Sequence, residues 1–143
     1  MIAIDTNILV YADRAEMPRH SAALSELRRL AEGDEAWGLP IFCLGEFVRV
    51  VSHPLVFNSP TPANEALDSL DALLESPSAR LLVPGPRFLP ILRRVLAESG
   101  VAGNLVFDAQ IAAVCLEHGA RTILTEDRDF SRFAGIATRS LPA

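Results

Sequence analysis

Four acidic residues of this chain are attached to apolar runs, where a carboxylate is costly. Asp5 follows Met1-Ile2-Ala3-Ile4, and Glu46 lies inside the apolar stretch from Ile41 to Val51. Asp108 stands within Leu105-Val106-Phe107-Asp108-Ala109-Gln110-Ile111-Ala112-Ala113, and Asp127 follows Thr122-Ile123-Leu124-Thr125. A carboxylate at the edge of a core must be paired to offset the water it loses. Each acid alone has a structural explanation. Asp5 can cap a helix, Asp108 can complement a helix dipole, Glu46 can meet an arginine, and residues 125–130 can be a solvated charged loop. Four such acids spread along one chain point instead to a shared cation. The fold must then gather distant apolar elements with their acids at one edge.

The elements read as strands alternating with helices. Ile2–Ile4 is a short buried strand, and Thr6–Ala12 a helix capped by Thr6 or Asn7. Pro18–Leu30 is amphipathic, with Leu24, Leu27 and Leu30 at helical spacing. Strand candidates follow at Ala36–Leu39, Arg80–Val83, Arg121–Thr125 and Ile136–Thr138. Helices are expected at Ile41–Ser52, Ala63–Glu75, Arg87–Ser99 and Leu105–Glu117, the last capped by Asn104. No repeat or linker interrupts the 143 residues, so a single domain over 1–143 is expected. Apolar strands alternating with helices imply a largely parallel sheet covered on both faces. Ligands of such sheets bind beyond the carboxyl ends of the strands. Asp5 and Asp127 belong at that edge. On a helix, Asp108 heads the stripe Ile111, Ala112, Cys115, and Glu46 shares a face with Cys43, Phe47 and Val50.

Composition narrows the chemistry. The formal charge is −5, and all thirteen basic residues are arginine. Without lysine there is no P-loop and no Schiff base. His20, His53 and His118 have no metal spacing, and Cys43 and Cys115 fall in apolar helical patterns as free buried thiols. No run approaches the ~20 residues of a membrane span, and a cytoplasmic location is expected. An all-oxygen ligand set suits Mg²⁺ or Mn²⁺. Such a site can polarise a phosphodiester and activate water, and Arg14, Arg19, Arg49 and Arg128 lie close enough in sequence to grip phosphates. Asp127 and Asp129 compete for one place in it.

The chain resembles the PIN-domain ribonucleases, and among them the VapC-like toxins of toxin–antitoxin pairs. The resemblance rests on Ile4-Asp5-Thr6-Asn7, on Leu44-Gly45-Glu46-Phe47 with Arg49 and His53-Pro54, and on Gly103-Asn104-Leu105-Val106-Phe107-Asp108-Ala109 with Ile111-Ala112-Ala113. Its last piece is Thr125-Glu126-Asp127-Arg128-Asp129-Phe130. These span nearly the whole chain in family order. The resemblance implies a three-layer α/β/α fold with a central, mostly parallel five-stranded sheet. It implies that Asp5, Glu46, Asp108 and Asp127 form the catalytic metal site, with Asp5 and Asp108 the most direct ligands. Thr6, Asn7, Asn104, Thr125 and Asp129 match supporting positions. It further implies Mg²⁺- or Mn²⁺-dependent RNA cleavage, a homodimer and a cognate antitoxin. Two other readings remain open on the residues alone: a phosphatase or phospho-acceptor domain using Asp5, and a binding module without catalysis.

Overall fold

The computed structural model describes residues 1–143. Five strands form one parallel sheet: β1 (Ile2–Ile4), β2 (Trp37–Pro40), β3 (Ala79–Leu82), β4 (Thr122–Leu124) and β5 (Ala137–Arg139), in the order β3-β2-β1-β4-β5. Every neighbouring pair is parallel, so the sheet is wholly rather than mostly parallel. Six α-helices complete a three-layer α/β/α arrangement: α1 (Thr6–Asp13), α2 (His20–Glu32), α3 (Ile41–Val51), α4 (Ala63–Leu74), α5 (Phe88–Ser99) and α6 (Leu105–Glu117).

The central strands explain why the apolar runs are so short and so uniformly apolar. Ala3, Ile4, Trp37, Leu39, Ile123 and Leu124 are inaccessible, because a parallel strand covered on both faces has no solvent side. Trp37 satisfies its indole N–H by donating to Ser78 Oγ at 3.1 Å, and Ser78 Oγ in turn donates to Leu30 O at 3.0 Å. Gly38 is required by close packing: a Cβ there would lie 2.7 Å from Leu82 Cδ1. Helix α5 stops at Gly100, whose φ of 68° is left-handed.

Several expected details differ. Of the three candidate caps for helix α1, Asp5 takes the place and Thr6 and Asn7 do not: Thr6 N donates to Asp5 Oδ1 at 2.7 Å. Asn104 makes no side-chain cap bond to α6. Helix α2 begins only at His20, two residues after Pro18. A 3-10 turn at Arg128–Arg132, unannounced by any helical periodicity, buries Phe130 against Phe133 with ring centroids 6.2 Å apart. The expected free thiols Cys43 and Cys115 are both buried, and burial pushes the Cys115 thiol up to about 12.

The order of the sheet positions the site. Chain progression leaves β1 toward β2 and β3 on one side, then returns to β4 and β5 on the other. The carboxyl ends of β1 and β4 therefore flank the point where strand order reverses, the usual crevice of an open α/β sheet.

Gly38→Ala is expected to destabilise the fold by ~1–3 kcal/mol through overpacking against buried Leu82. Combining it with Leu82→Ala should cost less than the sum of the single changes, read as a coupling term in urea denaturation.

Candidate functional site

Asp5 is the first residue beyond the central strand. Its N–H still donates to Leu124 O at 3.1 Å, so β1 and β4 stay in register to the site itself. The residue is 6% exposed. One oxygen accepts from Thr6 N, and the other accepts from Thr125 Oγ1 at 2.7 Å. Thr125 lies one residue past β4 and is buried. Its hydroxyl also accepts from Asp127 N at 2.9 Å and from Asn7 Nδ2 at 3.3 Å. One donor and two lone pairs are all a hydroxyl has, so Thr125 is saturated. It ties the ends of β1 and β4 and the start of α1 into one network. Burial raises the Asp5 carboxyl to about 6 despite the opposing hydrogen bonds from Thr125 and Thr6, and repulsion from Glu46 and Asp127 adds to the rise.

Asp108 enters from the first turn of α6, half-buried above this network. Its carboxyl is also raised to about 6, first by burial and then by the charges of Asp127, Asp5, Asp129 and Glu46. Carboxylate oxygens of Asp108, Asp127 and Asp129 lie within 4.8 Å of one another. The Asp127–Asp129 geometry is local: Asp127 Oδ1 accepts from Asp129 N at 2.8 Å and caps the 3-10 turn. That turn brings both acids of the Asp-x-Asp pattern to the same place. Asp129 additionally pairs with Arg132 at 2.9 Å, a half-exposed contact of modest strength.

The tight trio therefore contains both Asp127 and Asp129, which the sequence set as rivals for one place, with Asp129 a supporting position by resemblance. Asp5 and Glu46 stand outside the trio but within its field. Glu46 on α3 and Asp108 share a cavity of about 620 Å³ with Phe42, Gly45, Arg49, Asn104, Phe107, Gln110 and Ile111. Asn104 thus faces the cavity rather than capping α6. Phe107 and Gln110 were not singled out from sequence; only their positions flanking Asp108 on the helix hinted at them. Arg14 is not available for phosphate. Its guanidinium donates to Glu16 at 2.8 Å and to Thr61 Oγ1 at 3.0 Å and lies 4.3 Å over the Phe57 ring. Arg19 donates to Pro142 O. Arg49 and Arg128 are exposed and make no ion pair.

The residues present fit a hard divalent cation. All donors are oxygens, and no arginine pairs with Asp5, Glu46, Asp108 or Asp127. Beside Asp5, the buried oxygens Thr6 Oγ1 and Asn7 Oδ1 have no hydrogen-bond partner.

Comparison with known proteins decides the family. The PIN domain model matches residues 2–136. The chain belongs to the PIN domain family. It is 41% identical over 139 residues to a VapC ribonuclease of Mycobacterium bovis, covering 97% of this chain and 94% of that protein. It is 32% identical over 136 residues to ribonuclease VapC25 of Mycobacterium tuberculosis, covering 95% of each. Among solved structures, VapBC2 of Rickettsia felis bound to a promoter DNA fragment superposes with a TM-score of 0.70 at 21% identity, over 99% of this chain and 100% of that one. VapC20 of Mycobacterium tuberculosis, described as a toxin that cleaves the sarcin–ricin loop, superposes with a TM-score of 0.67 at 19% identity, over 96% of this chain and 99% of that one. These structural likenesses establish a shared PIN fold.

Two predictions follow from the electrostatics of this PIN-domain site. Burial and crowding raise the Asp5 and Asp108 carboxyls to about 6 from an ordinary 3.8. Between about pH 4 and 6 these two groups hold more protons in the folded chain than in the unfolded one, so their contribution to stability falls as pH rises through that window. For Asp5 alone the loss is up to ~3 kcal/mol. Cation-free protein should therefore melt lower at pH 7.5 than at pH 5, and added Mn²⁺ should raise Tm strongly at pH 7.5 and weakly at pH 5. Thr125→Val removes a donor to Asp5 and orphans the Asp127 N–H, for an expected cost of ~1–3 kcal/mol in denaturant titration. Thr125→Ser should retain most of that stability.

Proposed function

We propose that this chain is a divalent-cation-dependent endoribonuclease and the toxin of a toxin–antitoxin pair. One observation carries the reading: five carboxylates, from Asp5, Glu46, Asp108, Asp127 and Asp129, repel one another at the sheet's switch point with no ion pair to Asp5, Glu46, Asp108 or Asp127, on a chain 41% identical to a VapC ribonuclease.

Asp108, Asp127 and Asp129 are the residues that would hold Mg²⁺ or Mn²⁺, with Asp5 beneath them and Glu46 at the cavity wall. The chemistry a bound divalent ion supplies is polarisation of the phosphodiester and a lowered pKa for water. The protein's own part is positional. Thr125 and the α1 N-terminus hold the Asp5 carboxylate in one orientation, and the 3-10 turn holds Asp127 and Asp129 together. Glu46 or Asp127 receives the proton of the attacking water. Arg49 and Arg128 approach the phosphates flanking the cut. No side chain is needed as a covalent nucleophile. Asp5, buried and hydrogen-bonded through both oxygens, is poorly placed to be one, which argues against a phospho-acceptor domain.

The partners follow from the relatives. VapBC and FitAB structures share this fold, and a protein antitoxin is proposed as the regulator of this chain. A homodimer, one PIN-like domain over residues 1–143 and a cytoplasmic location complete the proposal; no helix is long and apolar enough to cross a membrane.

Asp108→Asn should abolish Mn²⁺-dependent cleavage of total RNA while preserving the circular-dichroism spectrum and Tm to within a few degrees. Chelator should abolish cleavage by the unaltered chain. A variant that cuts at the native rate would remove Asp108 from the mechanism, and chelator-resistant cleavage would remove the cation.

A further inference from the structure

The cavity beside the carboxylates carries a feature that cation binding does not use. Phe107 is 62% exposed in its wall, one residue before Asp108 on the first turn of α6. The other aromatic of the wall, Phe42, is half-buried and held by Phe88 at a centroid distance of 5.7 Å. Phe107 thus offers a ring to the cavity that nothing in the chain covers. Polar groups accompany it: Asn104 and Gln110, three residues to either side along α6, carry amide donors and acceptors, and Arg49 on α3 carries an unpaired positive charge.

Gly45 is the second, independent sign. It sits inside α3, where glycine weakens a helix relative to alanine. Yet a Cβ at this position would meet nothing within 4 Å. Packing does not require glycine there. What its missing side chain does is leave the cavity wall open next to Glu46. A volume of about 620 Å³ is within the range of small-ligand sites, roughly 300–1,000 Å³.

We infer that this cavity receives one unpaired nucleobase of the RNA, stacked on Phe107, with Asn104 and Gln110 at its edge and Arg49 on the adjoining phosphate. Aromatic rings bind bases face to face only when the base is out of a helix, and sequence-specific readers of RNA target such splayed bases. Phe107 is therefore a substrate-positioning residue for the cut. The assignment deepens the ribonuclease reading and rests on it for the chemistry at the phosphate.

The test uses the Asp108→Asn chain as a non-cutting background and a fluorescein-labelled 12-residue single-stranded RNA of mixed sequence, followed by anisotropy. Adding Phe107→Ala should weaken binding roughly 5- to 100-fold, the effect of losing one stacked base. Phe107→Tyr should stay near the parent. Gly45→Leu should also weaken binding while Tm holds or rises, because it fills the cavity and strengthens the helix. An abasic strand of the same length should bind the parent, Phe107→Ala and Gly45→Leu chains alike, and a fully paired duplex should gain nothing from Phe107. Unchanged binding by Phe107→Ala would overturn the inference. So would an equal loss on the abasic strand, or a changed elution volume that makes Phe107 a subunit contact. Cleavage of total RNA by the unaltered chain separates the two readings. Base-dependent binding without cleavage removes the nuclease and keeps the cavity assignment; cleavage with base-independent binding does the reverse.

Discussion

The hydrogen bond from Thr125 to Asp5 is the contact on which the site depends. It joins the ends of two adjacent parallel strands that lie 120 positions apart in the chain. Each strand is short and its last two residues are buried, so its ladder bonds leave little freedom at the point where it ends. Thr125 uses that rigidity to aim a desolvated carboxylate, and through the Asp127 N–H it also sets the start of the 3-10 turn. Packing of the sheet and geometry of the acids are thus one problem with one solution.

That solution is costly in the absence of a cation. Two carboxyl groups are raised to about 6, chiefly by lost hydration and then by the charges of neighbouring carboxylates. Elsewhere the chain neutralises its buried acids locally. Glu26 is bracketed by Arg29 and Arg139, and Glu117 accepts from the backbone of Gly85 at 2.8 Å and of Arg87 at 3.0 Å. The contrast is informative. A chain able to satisfy Glu26 and Glu117 in these ways leaves Asp5 and Asp108 without any arginine. Strain of this kind, concentrated at a crevice and unrelieved by the protein, is the pattern of a site that completes itself with a ligand.

A PIN-domain ribonuclease needs both a place for charge and a place for substrate. In this chain the two adjoin along one turn of α6. Asp108 faces the acids while Phe107, its neighbour, stands in the open cavity wall. Helical geometry separates consecutive side chains by about 100°, so one turn can serve the phosphate and the base without either crowding the other. Glycine at position 45 keeps the facing helix from closing that space.

How much of this was legible without coordinates follows from which interactions are local. The strand and helix pattern was, because apolar periodicity reports burial directly: Ile2–Ile4 and the 105–117 helix agree to the residue. So was the gathering of acids at the strand ends, since parallel topology has few alternatives. The 3-10 turn that draws Asp129 beside Asp127 and the engagement of Arg14 by Glu16, Thr61 and Phe57 were not. Each depends on side-chain rotamers and on groups brought close only by packing, as with Thr61, 47 positions from Arg14. By itself, then, the sequence determined the layers, the parallel sheet and the acids available to a cation. Tertiary structure alone decided which oxygens converge, which arginines stay free and which aromatic remains uncovered, because those outcomes are set by through-space distances that no spacing along the chain encodes.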